Sequence, residues 1–315
     1  MKMRWFTGII IMVTILVLLG GACSPRVSRK PIAGAPQSEP TITILINETG
    51  QKKQIKLEDY IAGVVAAEME PTWPVSSLAA QAILARTFTM ENIKSGRIRQ
   101  LHGTDVSTSV QECQAYDPSR INHNVREAVT RTRGEVATYR GDYVKAWFNA
   151  CNGGVTASAA EGLNYTKTPT PYLKAGIKDN CLVITTPENR AWETRIPLER
   201  VRMVVKEITG QDPGAITSVQ IVKYGPSGRA QTLRLGNVAV NVPALRLSLG
   251  SEWVRSTFFT SVKVEGNQLV FKGKGFGHGV GLCQWGARGL AEQGSSPEDI
   301  VKFYYKDIEI QKLWL

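Results

Sequence analysis

The chain has 315 residues, 43% of them hydrophobic, which is enough to bury the core of one large domain or of two small ones. Its formal net charge of +11 favours an anionic partner. The sequence contains no zinc-finger, RNA-recognition or helix-turn-helix pattern, so we exclude nucleic acid as that partner.

The N-terminus, residues 1–23, has the composition of a signal sequence or membrane anchor. Basic residues precede an uncharged run that is rich in Ile, Val and Leu and long enough for a signal peptide or a single membrane span. The run ends at Cys23 in a sequence that resembles a bacterial lipoprotein processing site, so a lipid anchor and an uncleaved span are both open. Residues 24–40 contain four prolines and form a predicted linker. Either anchor attaches the chain to the cell membrane and places residues 41–315 outside the cytoplasm, facing lipid headgroups and cell-wall polymers.

Residues 41–315 are predicted to form one elongated α+β domain of mixed helices and mostly antiparallel strands. A helix-plus-sheet subdomain is expected at about residues 190–265, because a helical pattern is followed there by three alternating apolar segments. The predicted elements are a hairpin of 41–46 with 54–56, helices at 57–70, 74–95 and 122–133, a hairpin of 136–139 with 145–150, a helix that ends at Gly210, strands at 218–225, 230–235 and 237–242, a helix at 243–249, strands at 260–265 and 268–272, helices at 284–293 and 297–305, and a strand at 308–314.

Glu68 lies at the end of the first predicted helix, on an otherwise apolar face. Leu57, Ile61 and Val65 belong to that face, and one further step along it leads to Glu68. Pro71 ends the helix, which places the carboxyl near the negative end of the helix dipole. The dipole and burial both raise the pKa of a carboxyl in this position. A carboxylic acid that stays protonated near neutral pH suits a general acid.

Arg86 lies on the inner face of the second predicted helix, four residues after Ala82 and three after Ile83. A buried guanidinium needs an opposite charge, and Glu68 is one candidate partner. Close pairing would lower the pKa of Glu68 and oppose the acid role. The two residues are therefore either parts of a site or an ordinary salt bridge between helices.

The polar segment at residues 101–116 contains Gln114 and Tyr116. An amide and an aromatic ring suit sugar binding. The alternative is a turn that packs these side chains against the core.

Five cysteines occur in this chain, and Cys23 belongs to the predicted anchor. Spacing alone does not fix disulfide pairing. We expect Cys151 to pair with Cys181, because that disulfide would join the small-residue motif at 151–156 to the segment at 171–178. A catalytic cysteine with His278 as its base is the rival interpretation.

Glycines alternate with larger residues, including His278, over residues 273–281. This is strand spacing with one face stripped of side chains, so another group is expected to approach closely. A phosphate or dinucleotide loop is excluded, because no Gly-Lys-Ser/Thr follows and no βαβ unit surrounds the segment. Gln284 and Trp285 come next, and an indole in this place either stacks on a sugar ring or packs in the core.

Four segments together resemble the SpoIID/LytB family, which is named for stage II sporulation protein D. They keep the order of the family from about residue 42 to the C-terminus, and several motifs in register are far more specific than one. The segments are VVAAEMEPTWPVSSLAAQAILARTF (64–88), DVSTSVQECQAY (105–116), FNACNGGVTASAAEGLNY (148–165) and GKGFGHGVGLCQWGARGLAEQG (273–294).

The resemblance implies that Glu68 is the catalytic glutamate of a lytic transglycosylase, with the Gly-His-Gly motif of His278 accompanying it. Combining this with the residue patterns, we predict a set of substrate-binding residues, which are Arg86, Gln114, Tyr116, His278, Gln284 and Trp285.

Some family members bind zinc through a histidine and two cysteines in the segment equivalent to 101–116. Here His102 and Cys113 match, but Ser107 stands in the place of the other cysteine. Zinc prefers four ligands, so no metal and no cofactor is predicted.

The implied substrate is peptidoglycan, cleaved at the β-1,4 bond between N-acetylmuramic acid and N-acetylglucosamine. Glu68 would protonate the leaving oxygen and then accept the proton of the muramoyl C6 hydroxyl as that oxygen attacks C1, which leaves a 1,6-anhydro end. One carboxyl group suffices, whereas most glycosidases use two. The resemblance also implies glycan strands stripped of stem peptides, a partner amidase and other engulfment membrane proteins, and wall remodelling during sporulation.

Two alternatives from other functional classes stay open. The chain is either a non-catalytic amidase enhancer, in which replacing Glu68 leaves function intact, or a wall-binding protein that binds glycan and forms no product.

Overall fold

The structure is a computed structural model that describes residue 32 and residues 34–314. Its helices are α1 (Leu57–Glu68), α2 (Val75–Ser95), α3 (Arg97–His102), α4 (His123–Arg131), α5 (Ala159–Leu163), α6 (Cys181–Ile184), α7 (Pro187–Arg190), α8 (Leu198–Thr209), α9 (Val242–Leu249), α10 (Gln284–Glu292) and α11 (Pro297–Tyr304). Its strands are β1 (Thr41–Ile46), β2 (Gln51–Lys56), β3 (Val106–Ser107), β4 (Glu135–Tyr139), β5 (Asp142–Tyr143), β6 (Phe148–Asn149), β7 (Trp192–Pro197), β8 (Val219–Tyr224), β9 (Ala230–Leu235), β10 (Val238–Asn241), β11 (Phe259–Glu265), β12 (Gln268–Gly273), β13 (Leu282–Cys283) and β14 (Glu309–Lys312).

The strands form small sheets that are mainly antiparallel. Their orders are β2-β1-β3, β10-β9-β8, β11-β12-β7 and β14-β4-β5, with β13 beside β6. The parallel pairs are β1 with β3 and β6 with β13. The predicted α+β class is confirmed.

The predicted anchor at residues 1–23, with Cys23, lies outside the described residues, as does most of the linker. Within residues 34–314, no helix combines the length and the apolar character that a membrane crossing requires.

Helices α1 and α2 follow one another through a short turn. α1 ends at Glu68, because Met69 already has extended backbone angles (φ −127°, ψ 160°) and Pro71 cannot continue the helix. α2 begins directly after Pro74 and ends at Gly96, which adopts the left-handed conformation (φ 67°) that favours glycine at a helix C-terminus. The predicted stops before Pro71 and at Gly96 are confirmed, although α1 ends two residues earlier, and α2 begins one residue later, than predicted.

α2 is apolar on more than one face because it lies between two cores. One face, which includes Leu78 and Ala82, packs with α1, α4 and β1. Another face, which includes Ile83 and Leu84, packs with β4, α10 and α11. A helix that is buried on several sides has no single solvent-exposed face. A polar residue within it therefore indicates a specific contact and not exposure to solvent.

A third core lies within residues 192–271, which overlap most of the segment of about 190–265 predicted as a helix-plus-sheet subdomain. α8 and α9 pack there against the two sheets built from β7 to β12. None of the predicted site residues belongs to this core.

Two predicted strands differ from the structure. The hairpin partner of β4 is the short β5 at the Asp142 turn, whereas residues 148–149 pair with β13 instead. The glycine-rich segment is not a strand, because Gly275, Gly277 and Gly279 have φ of 81°, 107° and 77°. These positive angles fold the backbone into an irregular loop that fits closely around neighbouring groups.

Candidate active site

Glu68 lies half-buried where the end of α1 meets two other segments. Its Oε1 accepts a hydrogen bond of 2.8 Å from the backbone N–H of Ala115. The side chain of Gln284, the first residue of α10, lies near this carboxyl and acts as a donor that lowers its pKa. This carboxyl therefore joins three of the motifs identified in the sequence.

Burial raises the pKa of Glu68 above its ordinary value, and the hydrogen bonds from Ala115 and Gln284 offset only part of that effect. Such a carboxyl keeps its proton to higher pH than a solvated glutamate, as a general acid requires. Among the described residues, no second carboxylate is one of the groups that shift this pKa.

Three buried polar atoms around Glu68 have no partner with good hydrogen-bond geometry among the residues that the structure describes, although the Tyr60 hydroxyl and the Gln114 side chain are near enough to influence each other. They are the hydroxyl of Tyr60, Oε1 of Gln114 and Nε2 of Gln81. The Tyr60 phenol interacts electrostatically with Glu68, and Gln81 Oε1 lies 3.5 Å from Nε2 of Gln284. Leaving buried polar groups unpaired costs free energy, so this arrangement fits a place where a polar ligand or water completes the bonds.

Gln114 and Tyr116, both predicted to bind substrate, lie beside this group. The Nε2 of the buried Gln114 donates to Thr89 Oγ1 at 3.1 Å, which fixes the orientation of the amide. The half-buried Tyr116 ring stacks on Tyr60, with centroids 5.4 Å apart and an interplanar angle of 18°. The Tyr116 ring also covers Gly63, where any added Cβ would overlap it.

Two tryptophans and an arginine form a half-buried surface group that we call the indole platform, consisting of Trp73, Trp285 and Arg288. The two indole centroids are 4.6 Å apart, and the Arg288 guanidinium lies 5.4 Å from one ring and 5.2 Å from the other. Trp73 lies in the turn after Glu68, and Trp285 directly follows Gln284. Indoles that keep an accessible face suit stacking against a sugar ring.

Arg86 does not pair with Glu68, and that suggested partnership is wrong. Its guanidinium is fully buried and donates to both oxygens of Glu58, at 3.1 and 2.6 Å. A further bond of 2.9 Å goes to the Glu135 carbonyl. Glu58 Oε1 also accepts from Trp314 Nε1 at 3.0 Å. Arg86 therefore connects α2 to the start of α1, and a fully enclosed guanidinium offers no surface to a glycan.

His278 occupies a different environment from Glu68. Its Nδ1 accepts from the Val280 N–H at 3.0 Å, and the Phe148 backbone is another hydrogen-bond partner. Burial, with the nearby guanidinium groups of Arg246 and Arg229, lowers the pKa of His278 to about 3. The ring is therefore neutral at physiological pH, and no hydrogen bond or ion pair joins it to Glu68 in the described part of the chain.

Two surface cavities of about 420 and 410 Å³ are lined by other parts of the chain than Glu68. The first is lined by residues that include Met90 and Asp105, and the second touches the site only through Tyr116. Glu68 lines neither of these two cavities. We therefore locate the site by the Glu68 carboxyl and its surroundings, and not by the size of a cavity.

In the segment of residues 101–116, His102 and Cys113 contact other groups of the protein. His102 Nε2 lies 2.9 Å from Glu112 Oε1, and the Ser107 N–H donates to Cys113 Sγ at 3.4 Å. Elsewhere among the described residues, one group is compact enough to hold a metal ion, namely Asp179, Cys181 and Cys283.

Sequence reasoning missed several residues that contribute to the site. Gln81 is a polar residue in the middle of the buried apolar helix α2, and that position is the signal that identifies it. The sequence alone does not mark Tyr60, Gly63 and Trp73 as site residues, because tyrosine, glycine and tryptophan are common in any core. Fold and site together define an α+β protein with a carboxyl of raised pKa in a polar site that aromatic rings flank.

Comparisons with known proteins give the family. A family model described as stage II sporulation protein matches residues 46–139, and one described as a domain of unknown function matches residues 165–281.

Stage II sporulation protein D of Bacillus amyloliquefaciens is 30% identical over 272 residues, which cover 82% of this chain and 75% of that protein. An uncharacterised protein of Brachyspira hyodysenteriae is 32% identical over 269 residues, covering 85% and 68%. The amidase enhancer of Bacillus subtilis is 28% identical over 294 residues, covering 78% and 39%. The chain belongs to the SpoIID family.

Proposed function

We propose that this protein is a peptidoglycan lytic transglycosylase in which Glu68 is the general acid and then the general base. The observation that carries the proposal is one half-buried glutamate whose pKa is raised by burial and is not influenced by a second carboxylate from the described part of the chain. Most glycosidases need two carboxyl groups, whereas an intramolecular attack by a sugar hydroxyl needs only one.

The reaction uses the two protonation states of Glu68 in turn. The carboxylic acid donates its proton to the glycosidic oxygen while the bond from C1 of N-acetylmuramic acid to that oxygen breaks. The carboxylate then accepts the proton of the C6 hydroxyl while O6 bonds to C1. Water is not consumed, and Glu68 ends the cycle protonated. The Ala115 N–H and the Gln284 amide stabilise the carboxylate in the intermediate state.

The surroundings of Glu68 support a glycan as substrate. The unpaired atoms of Tyr60, Gln81 and Gln114 offer both donors and acceptors to sugar hydroxyl and acetamido groups. The indole platform offers a stacking surface beside them. We retain Gln114, Tyr116, Gln284 and Trp285 as substrate-binding residues and add Tyr60, Gln81 and Trp73. We assign Arg86 and His278 a structural role, in which they hold the surrounding backbone in place.

The test is incubation of residues 24–315 with purified glycan strands that lack stem peptides, followed by mass spectrometry of the products. We expect fragments with 1,6-anhydromuramoyl ends, each lighter by one water than a hydrolysis product. Products with reducing ends would indicate a hydrolase instead. Binding of glycan without any product would contradict both reactions and favour a wall-binding protein.

A second candidate function is that of an amidase enhancer, because a relative at 28% identity carries that name. This candidate predicts that the chain accelerates a purified wall amidase on peptide-bearing peptidoglycan and that Glu68→Gln retains the acceleration. The transglycosylase proposal predicts product from peptide-free glycan with no amidase present.

The biological setting follows from the names of the relatives. Two of the similar proteins, from Bacillus amyloliquefaciens and Bacillus subtilis, are stage II sporulation protein D, so we propose that this chain remodels the cell wall during sporulation. An amidase that removes stem peptides would supply its substrate, and other engulfment membrane proteins are proposed partners. Deleting the gene in a sporulating host should then block engulfment, and normal engulfment would count against this setting.

A further inference from the structure

Three buried cysteines from separate segments meet behind the glycine-rich loop. Cys151 follows β6, Cys181 begins α6, and Cys283 ends β13 at the start of α10. All three are at most 1% exposed. The sulfurs of Cys151 and Cys181 are 3.4 Å apart and unbonded, so the expected disulfide is not formed, although the two residues are neighbours.

A carboxylate completes this group. An oxygen of Asp179 and the sulfurs of Cys181 and Cys283 all lie within 4.8 Å of one another. A tetrahedral zinc site with Zn–S bonds of about 2.3 Å has its sulfurs about 3.8 Å apart, so these three groups are close enough to share one zinc ion after small side-chain movements. Cys151 lies outside this set of three, and it becomes the fourth ligand in our proposal because its sulfur is 3.4 Å from that of Cys181.

The surroundings of the cluster are those of metal-bound thiolates. Cys283 Sγ accepts from the backbone N–H groups of Asn152 at 3.3 Å and Gly286 at 3.4 Å. Asn152 Nδ2 donates to Asp179 Oδ2 at 2.8 Å, and the hydroxyl of Tyr304 donates to the same oxygen at 2.8 Å. Such outer hydrogen bonds orient the ligands of a metal site.

A buried cation offsets part of the charge that a zinc ion with these ligands would carry. Three thiolates and one carboxylate around Zn²⁺ carry a net charge of −2. The guanidinium of Arg229, which is 1% exposed, interacts electrostatically with all three sulfurs and with Glu161. Buried charges require such compensation.

We propose that Cys151, Cys181, Cys283 and Asp179 bind one zinc ion in a structural site. Four ligands leave no open position for water, as in structural zinc sites. The site lies outside the 101–116 segment, and the proposal departs from the sequence-based prediction of no metal, which considered only the ligands of that segment. Because Cys283 directly precedes Gln284, the metal would also fix the start of α10, which carries the amide partner of Glu68.

The test measures metal directly and needs no activity assay. The full chain, purified in detergent under reducing conditions with added zinc chloride, should contain about one zinc per chain by plasma mass spectrometry. Replacing zinc by Co²⁺ should give sulfur-to-cobalt charge-transfer absorption in the near ultraviolet and strong visible bands of tetrahedral cobalt. Cys181→Ser and Cys283→Ser should weaken the near-ultraviolet band, whereas Cys113→Ser, which alters the cysteine outside the cluster, should leave it unchanged.

Two results would overturn the proposal. One is native chain without stoichiometric zinc or tetrahedral cobalt bands. The other is chain isolated from the cell surface, with thiols alkylated before any reduction, in which Cys151 and Cys181 are found joined in a disulfide.

Discussion

At the scale of single residues, the protonation state of Glu68 is set by a balance between burial and hydrogen bonds. Burial favours the neutral acid, whereas the donors Ala115 and Gln284 favour the carboxylate. Ala115 acts through its backbone, so mutation leaves that bond in place. Gln284 is therefore the residue through which the balance can be changed.

Gln284→Leu should move the alkaline limb of the kcat/KM profile to higher pH. Removing a donor to the carboxylate disfavours ionisation, so the pKa of Glu68 rises further and the acid form persists to higher pH. We also expect kcat to fall about tenfold, because the carboxylate formed during the reaction loses a charge-assisted bond. The measurement is a pH–rate profile on soluble glycan. Gln293→Leu, at the exposed other end of the same helix, is the control, and an unshifted limb in Gln284→Leu would refute this role.

Gly63 is the residue on which the position of Tyr116 depends. Alanine normally stabilises a helix by about 1 kcal/mol relative to glycine, but here its Cβ would overlap the Tyr116 ring. Gly63→Ala should therefore lower the melting temperature and reduce activity, and the double variant with Tyr116→Ala should recover the stability but not the activity. A Gly63→Ala protein that is more stable and fully active would show that the ring is not held against α1.

At the scale of elements, the buried Glu58–Arg86 pair holds α1 against α2 and the end of the chain. Arg86→Met removes the guanidinium partner of the buried Glu58 carboxyl, which should cost about 3–5 kcal/mol in unfolding free energy. Glu58→Gln with Arg86→Met should cost less than Arg86→Met alone. The exposed pair Lys94–Asp142 is the control, and Lys94→Met should cost under about 1 kcal/mol. Urea unfolding measures all of these, and KM for glycan in folded Arg86→Met protein should be unchanged.

The boundaries of the elements could be predicted because local signals fix them. Pro71, Pro74 and Gly96 delimit α1 and α2, and period-two patterns mark the strands of the third core. Irregular backbone could not be predicted in this way, because the alternating glycines of residues 273–281 have strand spacing but positive φ angles.

The site could be predicted only in part, because the spacing of residues along a helix does not show which distant side chains they contact. Glu68 and its raised pKa follow from an apolar stripe and a helix end. The partner of Arg86 does not, since Glu58 looks like an ordinary acidic residue in a first turn until the C-terminal Trp314 and Gly134 are found bonded to it. Gln284 lies near Glu68 although more than 200 residues separate the two in the sequence. Only the resemblance of the motifs suggested that they belong to one site.

At the scale of the whole molecule, α2 lies between two hydrophobic cores and contributes residues to both of them. The candidate site lies where both cores meet, since Glu68 comes from the first and Gln284 from the edge of the second. A basic chain with a net charge of +11 suits anionic wall polymers and lipid headgroups.

We propose that residues 1–23 hold the protein at the cell membrane with the domain outside. Full-length chain should sediment with membranes and be degraded by protease added to intact cells after wall removal, whereas residues 24–315 should be soluble. Cys23→Ala distinguishes the two anchors, because it would abolish lipid attachment but leave an uncleaved span in place. Full-length protein found in the soluble fraction would contradict both versions.

The central claim is that one carboxyl, Glu68, carries the proton in both halves of the reaction. The most direct measurement compares Glu68→Gln with Glu70→Gln, an exposed glutamate two residues away that pairs with Arg120, on peptide-free glycan strands. We predict that Glu70→Gln forms anhydromuramoyl ends at the native rate and that Glu68→Gln loses at least about 10³-fold while remaining folded. Anhydromuramoyl ends formed by Glu68→Gln at the native rate would contradict the account.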